Sequence, residues 1–173
     1  MTVQEQNVMR KLKIAKVVVN MAVGTSGERL AKAAQVLEAL TGQKPSFRKA
    51  KKTIKEFGIK KGESIACVVT LTKDRALEFL KRALTAVDFK VKSESFDERG
   101  NFSFGIKEHV SLPGTKYDPS LGVFGFDVCV TVERPGYRVA RRRRKRSKVG
   151  KNHRVTREES INFVKELLGV KIV

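Results

Sequence analysis

Two clusters of basic side chains have the residue types and spacing needed to neutralise closely spaced phosphates. The first, the basic loop, occupies residues 44–62 and carries eight Lys or Arg side chains against one acid, Glu56. The second, the basic arm, occupies residues 138–157 and carries eleven Lys or Arg side chains and no acid. Outside these clusters, 18 basic residues face 17 acidic ones. Charge concentrated in this way indicates a polyanionic partner, most often nucleic acid.

The centre of the basic arm is a run of six consecutive cations from Arg141 to Arg146. Because like charges at this density repel one another, we expect the segment to be extended or disordered in isolation and to become ordered beside dense negative charge. A solubilising tail or a targeting signal is the alternative. The basic loop is expected to be a long, partly ordered connection rather than a helix, since no sustained apolar stripe of helical period runs through it. A solvated lysine-rich loop is the alternative there.

Catalysis would need a nucleophile with its base, a metal-ligand cluster or two opposed carboxylates. The two histidines, His109 and His153, have no neighbouring ligands at metal spacing. Cys67 and Cys129 lie in apolar stretches, where a buried, inert thiol is the usual outcome. Residues 24–27, Gly-Thr-Ser-Gly, lie between a predicted strand and a predicted helix, which is the position of phosphate-binding loops. They lack the glycine spacing of a nucleotide site, so an ordinary turn is favoured. We therefore expect no enzyme, no metal and no cofactor.

Length and composition bound the class of protein. A chain of 173 residues suits one domain, which would bury about 70% of its unfolded surface. Hydrophobic residues at 40% and charged ones at 32% exclude a wholly disordered chain. No apolar stretch reaches the roughly 20 residues that span a bilayer, and residues 1–5 show no signal-peptide pattern, so no membrane partner is expected. Two cysteines make no disulfide framework, which favours a reducing compartment.

The pattern of apolar residues predicts an alternating series of elements. Strands are expected at 16–23, 63–71, 90–96, 102–106 and 125–133, and helices at 30–40, 74–87 and 157–168. Thr25 and Glu28 have the spacing of a capping box that would begin the first helix. Thr156 and Glu159 repeat this spacing before the last helix, and Gly42 is expected to end the first one.

Strands that pair through a hairpin beside two helices predict an α+β fold, an antiparallel β-sheet with helices packed on one face, of the RNA-recognition-motif or ferredoxin-like kind. The other face of the sheet would then be free for a ligand or partner. The Phe residues at 102 and 104 loosely match the aromatic strand of RNA-recognition motifs, but alternating Phe on a hairpin is more often core. We expect one domain over residues 1–173, with the basic loop 44–62 and the basic arm 138–157 before a C-terminal helix at 157–168.

Seven segments, in this order over nearly the whole chain, resemble one protein family. They are KVVVNMAVG at 16–24, TGQKP at 41–45, KAKKTI at 49–54, VTL at 69–71, SFDERGNFSFGI at 95–106, YDP at 117–119 and RPGY at 134–137. Through them the chain resembles the ribosomal protein L5 family of the large subunit, in its archaeal and eukaryotic form. The resemblance implies a structural protein that binds 5S ribosomal RNA (5S rRNA) and helps attach it in the central protuberance of the cytoplasmic ribosome.

The resemblance also implies partners and sites. The expected partners are 5S rRNA, large-subunit rRNA, peptidyl-site transfer RNA (tRNA), the small-subunit protein S13, to which the family forms a bridge, and neighbouring large-subunit proteins. The residues expected to bind 5S rRNA are Asn20, Met21, Gln43, Lys44 and Thr70. Those expected to contact tRNA are Lys49, Lys51, Lys52, Lys55 and Lys60. Those expected to bind rRNA along the arm are Arg138, Arg141, Arg142, Arg143, Arg144, Lys145, Arg146 and Lys148. The segment 112–122 is expected near the S13 bridge.

Two sites depart from the family pattern. Ala22 stands where a glycine is usual, and Thr72 with Lys73 replaces an Arg-Gly pair. The second change removes a cation that would contact phosphate, a role that Lys73 or Arg75 could take over. The alternative function is that of a non-ribosomal architectural protein that binds RNA or DNA through the same arm.

Overall fold

A computed structural model of the chain describes residues 7–173, which form an α+β structure. The strands are β1 (Lys13–Ala22), β2 (Ser46–Lys49), β3 (Ser64–Leu71), β4 (Lys90–Val91), β5 (Phe102–Ile106), β6 (Phe126–Glu133) and β7 (Lys171–Ile172). The helices are α1 (Glu28–Thr41), α2 (Lys73–Thr85), α3 (Arg138–Arg141) and α4 (Arg157–Leu168). Among the described residues, no helix has the length and apolar character needed to cross a membrane.

The main sheet has five strands in the order β2-β3-β1-β6-β5, and every neighbouring pair is antiparallel. Through β1, α1, β2, β3, α2 and β6 the chain follows the β-α-β-β-α-β path of ferredoxin-like folds, with β5 added at the edge. The predicted α+β class with an antiparallel sheet is therefore confirmed. A separate two-stranded parallel pair joins β4 to β7.

The core lies between the sheet and helices α1 and α2. Along β1, Val17, Val19 and Met21 are 0% exposed, whereas the residues between them keep accessible surface. The ring of Phe79 on α2 lies 6.4 Å from that of Phe126 on β6. Each such side chain contributes about 1.5–3 kcal/mol when it is fully buried. The same cluster of buried residues continues to Val170, and on this basis we propose that the chain is one domain.

The predicted helix boundaries hold at two places and fail at one. Gly42 ends α1 in the left-handed conformation, with φ of 63°, and Thr156 with Glu159 forms the predicted capping box of α4. The capping box predicted for Thr25 and Glu28 is wrong, because the N-cap of α1 is Gly27 and no side chain caps this helix start. With φ of 92°, Gly27 adopts a backbone that a residue with a Cβ rarely adopts, and this turns the chain directly into the helix.

The strand predicted at 90–96 is wrong over most of its length. Lys90–Val91 pairs as β4, residues Ser93–Ser95 form a 3₁₀ turn, and Phe96 makes a single antiparallel bridge with Phe102. The guanidinium of Arg157 donates to the carbonyl of Ser93 over 2.6 Å, and the N–H of Ser93 donates to the carbonyl of Val173 over 2.8 Å. These contacts hold the segment against the C-terminal part of the chain, which no local pattern could indicate.

Candidate nucleic-acid interface

The face of the main sheet opposite α1 and α2, here called the open face, is lined by short side chains. Partners across antiparallel strands point to the same side of a sheet. Asn20 pairs with Val68 on β3 and with Asp127 on β6, and Val18 pairs with Thr70. Asn20 and Thr70 therefore share the open face on adjacent strands. Because most of its side chains are small, this surface lets another macromolecule approach the strands closely.

The other expected 5S rRNA residues occupy two different places. Gln43 and Lys44 are exposed between the end of α1 and the edge strand β2, so they border the sheet rather than lie on it. Met21 is 0% exposed and points to the face covered by the helices. The prediction that Met21 contacts RNA is wrong for its side chain, since the alternation of strand β1 places it in the core while its neighbour Asn20 faces outward.

The open face also holds polar residues for which no role was predicted. They are Ser46 beside Val68, Ser103 beside Cys129, and Asp127 beside Asn20. The two-residue alternation of β6, in which buried and less buried positions follow one another, was the signal that could have identified Asp127. The Phe side chains of β5 face the other way: Phe102 is buried and its ring lies 4.9 Å from that of Phe96. The aromatic strand is thus core and no stacking surface.

The basic loop is anchored to the sheet at its base. Strand β2 supplies its first part, so the expected long connection is shortened to residues 50–63. The N–H of Ala50 donates to the carbonyl of Glu63 over 2.8 Å, and the N–H of Gly62 donates to the carbonyl of Ala50 over 2.9 Å. Farther out, Ile54 and Ile59 exchange hydrogen bonds of 2.9 and 3.1 Å. This narrow ladder projects the loop from the edge of the sheet.

All five lysines expected to contact tRNA are exposed along this projection, at positions 49, 51, 52, 55 and 60. At its tip Phe57 is 70% exposed, and Ile54 is 41% exposed. An aromatic ring beside lysines is suited to stacking on a nucleic-acid base. No role was predicted for Phe57, although an aromatic residue within a run of cations is a signal for base stacking.

Residues 24–27 form a turn with an acid beside it. The hydroxyl of Ser26 donates to the carboxylate of Glu63, and the backbone N–H of Lys60 donates to the same group over 2.9 Å. The hydrogen bond from Lys60 and then that from Ser26 lower the pKa of Glu63. An ionised carboxylate at this turn repels phosphate, which agrees with the favoured interpretation of an ordinary turn.

The basic arm follows a defined path that the sequence did not predict. It begins with the four-residue helix α3 and returns so that the N–H of Ser147 donates to the carbonyl of Val139 over 3.2 Å. Arg141 forms an ion pair with Glu133. The hydroxyl of Tyr137 accepts from the N–H of Val155 over 3.1 Å. The arm is therefore folded back on itself and joined to β6 through Arg141, rather than fully extended.

The cations of the arm remain available despite these ties. All eight that were expected to bind rRNA are exposed: Arg138, Arg141, Arg142, Arg143, Arg144, Lys145, Arg146 and Lys148. Arg141 forms an ion pair with Glu133, and the guanidinium of Arg142 donates to the carbonyl of Lys145 over 2.7 Å. The structure thus brings the eight cations into one strongly positive segment.

The two cysteines and His109 lie in different surroundings. Cys67 is buried as expected, whereas Cys129 is exposed on the open face, so the expectation of a buried thiol is wrong there. Burial raises the pKa of the Cys67 thiol, and partial burial followed by the charge of Asp127 raises the pKa of Cys129. His109 is buried and its Nδ1 accepts from the N–H of Phe124 over 3.2 Å. Within residues 7–173, no group of three or more His, Cys, Asp or Glu side chains is placed to hold a metal ion.

Comparison with known proteins identifies the family. The chain matches the family model of ribosomal protein L5 over residues 7–60 and the model of that family's C-terminal part over residues 64–163. It is 58% identical over 164 residues to large ribosomal subunit protein uL5 of Pyrobaculum aerophilum, which covers 95% of this chain and 92% of that one. It is 52% identical over 170 residues to the protein of the same name from Sulfolobus acidocaldarius, with 98% and 96% covered. The chain therefore belongs to the ribosomal protein L5 family, and with it to the large subunit of the cytoplasmic ribosome.

Proposed function

We propose that this protein binds 5S rRNA through the open face and its β2 edge and helps attach that RNA in the central protuberance, without catalytic activity. The observation that carries the proposal is the shared position of Asn20 and Thr70 on the open face. Amide and hydroxyl groups pair with base edges and with the 2′-hydroxyl of RNA. Gln43 and Lys44 extend this polar surface past the edge of the sheet.

The basic loop and the segment 112–122 serve the other partners in this proposal. The exposed lysines from Lys49 to Lys60, on a ladder that projects from the sheet, contact peptidyl-site tRNA. The segment 112–122 bridges to the small-subunit protein S13. Neighbouring large-subunit proteins contact the remaining surface.

The basic arm binds large-subunit rRNA in the same proposal. Its exposed cations replace the counterions of phosphates, and each phosphate contact adds about 0.7–0.9 to the slope of log affinity against log salt. We expect deletion of residues 141–148 to flatten this slope on rRNA and to leave the far-ultraviolet circular dichroism spectrum unchanged. An unchanged slope would show that the basic arm does not contact rRNA phosphates.

Gel-shift assays with three alanine variants test the assignment of the open face. Asn20→Ala and Thr70→Ala should weaken binding to a 5S rRNA transcript by about tenfold each, because a lost hydrogen bond in such an interface costs about 1–3 kcal/mol. Gln43→Ala should behave in the same way. Lys51→Ala is the control on the basic loop and should keep its affinity for 5S rRNA. Equal losses in all four variants would contradict the division of labour between the two surfaces.

The alternative, a non-ribosomal architectural protein, differs in selectivity. Competition with duplex DNA and with an unrelated RNA of equal length should leave the 5S rRNA complex intact if the proposal is right. Displacement of 5S rRNA by both competitors would favour the alternative, since contacts to phosphate alone do not discriminate between sequences.

A further inference from the structure

A cavity lies where the basic arm meets the turn that precedes β5. Its volume is about 260 Å³, and it is lined by Arg99, Tyr137, Ala140, Lys148, Val149 and Arg154. This volume is just below the roughly 300–1,000 Å³ of sites for drug-sized molecules. The cavity therefore has room for one small ring system and its immediate substituents.

Three cations from two separate parts of the chain converge on this cavity. Arg99 comes from the turn before β5, whereas Lys148 and Arg154 come from the returning half of the basic arm. None of these three takes part in the ion pairs found within residues 7–173. The lining contains no acid, so the charge of its side chains is positive. An occupant with negative charge is favoured.

The wall between these cations is apolar and held in place. Tyr137, Ala140 and Val149 form it, and the Tyr137 ring is fixed because its hydroxyl accepts from the N–H of Val155 over 3.1 Å. A rigid aromatic ring beside aliphatic side chains is the surface on which unstacked bases pack in RNA-binding proteins.

The turn that supplies Arg99 is also fixed. The carboxylate of Asp97 accepts from the backbone N–H of Arg99 over 2.9 Å and from that of Asn101 over 2.7 Å. The hydroxyl of Ser160 on α4 donates to the carbonyl of Gly100 over 2.6 Å. Arg99 is thereby delivered to the cavity by a turn whose backbone does not need to be ordered on binding.

We propose that this cavity accepts one nucleotide of RNA that is turned out of its stack. Its base lies against Tyr137 and Val149, and the phosphates beside it lie among Arg99, Lys148 and Arg154. This inference rests on the RNA-binding role proposed above and adds to it a site for a single base. A nucleotide within a duplex does not fit this site, because its base faces are covered by its neighbours.

The probe for this site is a fluorescein-labelled hexauridylate that carries 5-bromouridine, compared with a duplex RNA of equal charge. Val149→Trp fills the cavity, and Arg99→Ala removes a cation whose side chain is exposed. Arg143→Ala is the matched control, since it removes an exposed cation of the arm that does not line the cavity. Affinity is measured by fluorescence anisotropy with the full chain, and photo-cross-links are mapped by mass spectrometry.

We expect Val149→Trp and Arg99→Ala to weaken hexauridylate binding about tenfold, and Arg143→Ala to weaken it about twofold. The cross-link should fall on Tyr137 in the unmodified chain and disappear in Val149→Trp. Equal effects of Arg99→Ala and Arg143→Ala, or a cross-link elsewhere, would overturn the proposal. Should Val149→Trp fail to fold, Arg99→Ala alone decides between these outcomes.

The same proteins are also titrated with the 5S rRNA transcript. Retained 5S rRNA affinity together with unchanged hexauridylate binding in Arg99→Ala would reject the cavity and leave the proposed function in place. Absence of 5S rRNA binding by the unmodified chain would reject the proposed function. The hexauridylate result would then still show whether the cavity binds a nucleotide.

Discussion

The guanidinium of Arg134 lies 2.7 Å from the carboxylate of Glu159, and this ion pair joins the two ends of the basic arm. Arg134 stands just after β6 and Glu159 in the first turn of α4. The other oxygen of the same carboxylate accepts from the N–H of Thr156 over 3.1 Å. Glu159 therefore caps the start of α4 and also holds together the two ends of the basic arm, whose cations repel one another.

Replacing Glu159 with Ala should lower the free energy of unfolding by about 2 kcal/mol. The loss combines the capping box with the ion pair of a guanidinium whose side chain is 10% exposed, and an uncompensated buried charge is costly. Glu158→Ala is the control in the same helical turn, where we expect a change within about 0.5 kcal/mol. Urea unfolding followed by circular dichroism measures both, and equal midpoints for the two variants would contradict the assigned role.

Gly100 is expected to be a site where no side chain is tolerated. A Cβ there would lie 2.8 Å from Val155 Cγ1 and 2.9 Å from Ser160 Cβ, and φ is +75°. Gly114 has a similar φ of +81° with nothing within 4 Å of its Cβ position. Gly100→Ala should therefore cost about 3 kcal/mol, from backbone strain and overpacking together, whereas Gly114→Ala should cost about 1 kcal/mol from strain alone. A comparison of urea midpoints checks this difference, which should vanish if the turn and α4 can move apart.

The sequence predicted most of the elements that carry a long apolar pattern. Strands β1, β3 and β6 and helices α1, α2 and α4 lie where periodicity placed them, because alternation and helical stripes are local consequences of burying one face. The pairing of β4 with β7 joins two residues at 90–91 to two at 171–172, and the two residues of β7 are too few to carry a pattern. The sequence did indicate the cations of the arm, but the path that brings Arg99 beside Arg154 depends on contacts between distant segments.

Lys73 is held in the left-handed region, with φ of 56°. For a residue with a Cβ this conformation costs about 1–2 kcal/mol. Glycine avoids this strain in the folded chain, but it loses more conformational entropy on folding, which offsets part of the gain. We expect Lys73→Gly to raise the free energy of unfolding by about 0.5–1 kcal/mol. Lys81→Gly, at an exposed position within the same helix, should lower it by about 1 kcal/mol. Thermal and urea unfolding measure both, and a loss of stability in Lys73→Gly would show that the strain is not released.

His109 should make stability depend on pH below neutrality. Burial lowers its pKa, and its Nδ1 accepts from the N–H of Phe124 over 3.2 Å, which requires the unprotonated ring nitrogen. The unfolded chain takes up this proton near pH 6.5, at a higher pH than the folded chain does. The contribution of His109 to stability is therefore complete above about pH 6.5 and is lost as the pH falls from there through the lowered pKa.

Replacement of this histidine by glutamine separates its contribution from those of the other titrating groups. Between pH 7.5 and pH 5.5 the unmodified chain should lose up to about 1 kcal/mol more of its free energy of unfolding than His109→Gln does. The comparison of the two slopes cancels the carboxylates, which titrate in both proteins, and a difference in absolute stability at pH 7.5 does not affect it. Parallel slopes in urea titrations over this range would mean that the ring can take up a proton in place, with the segment that carries Phe124 moving to release its hydrogen bond.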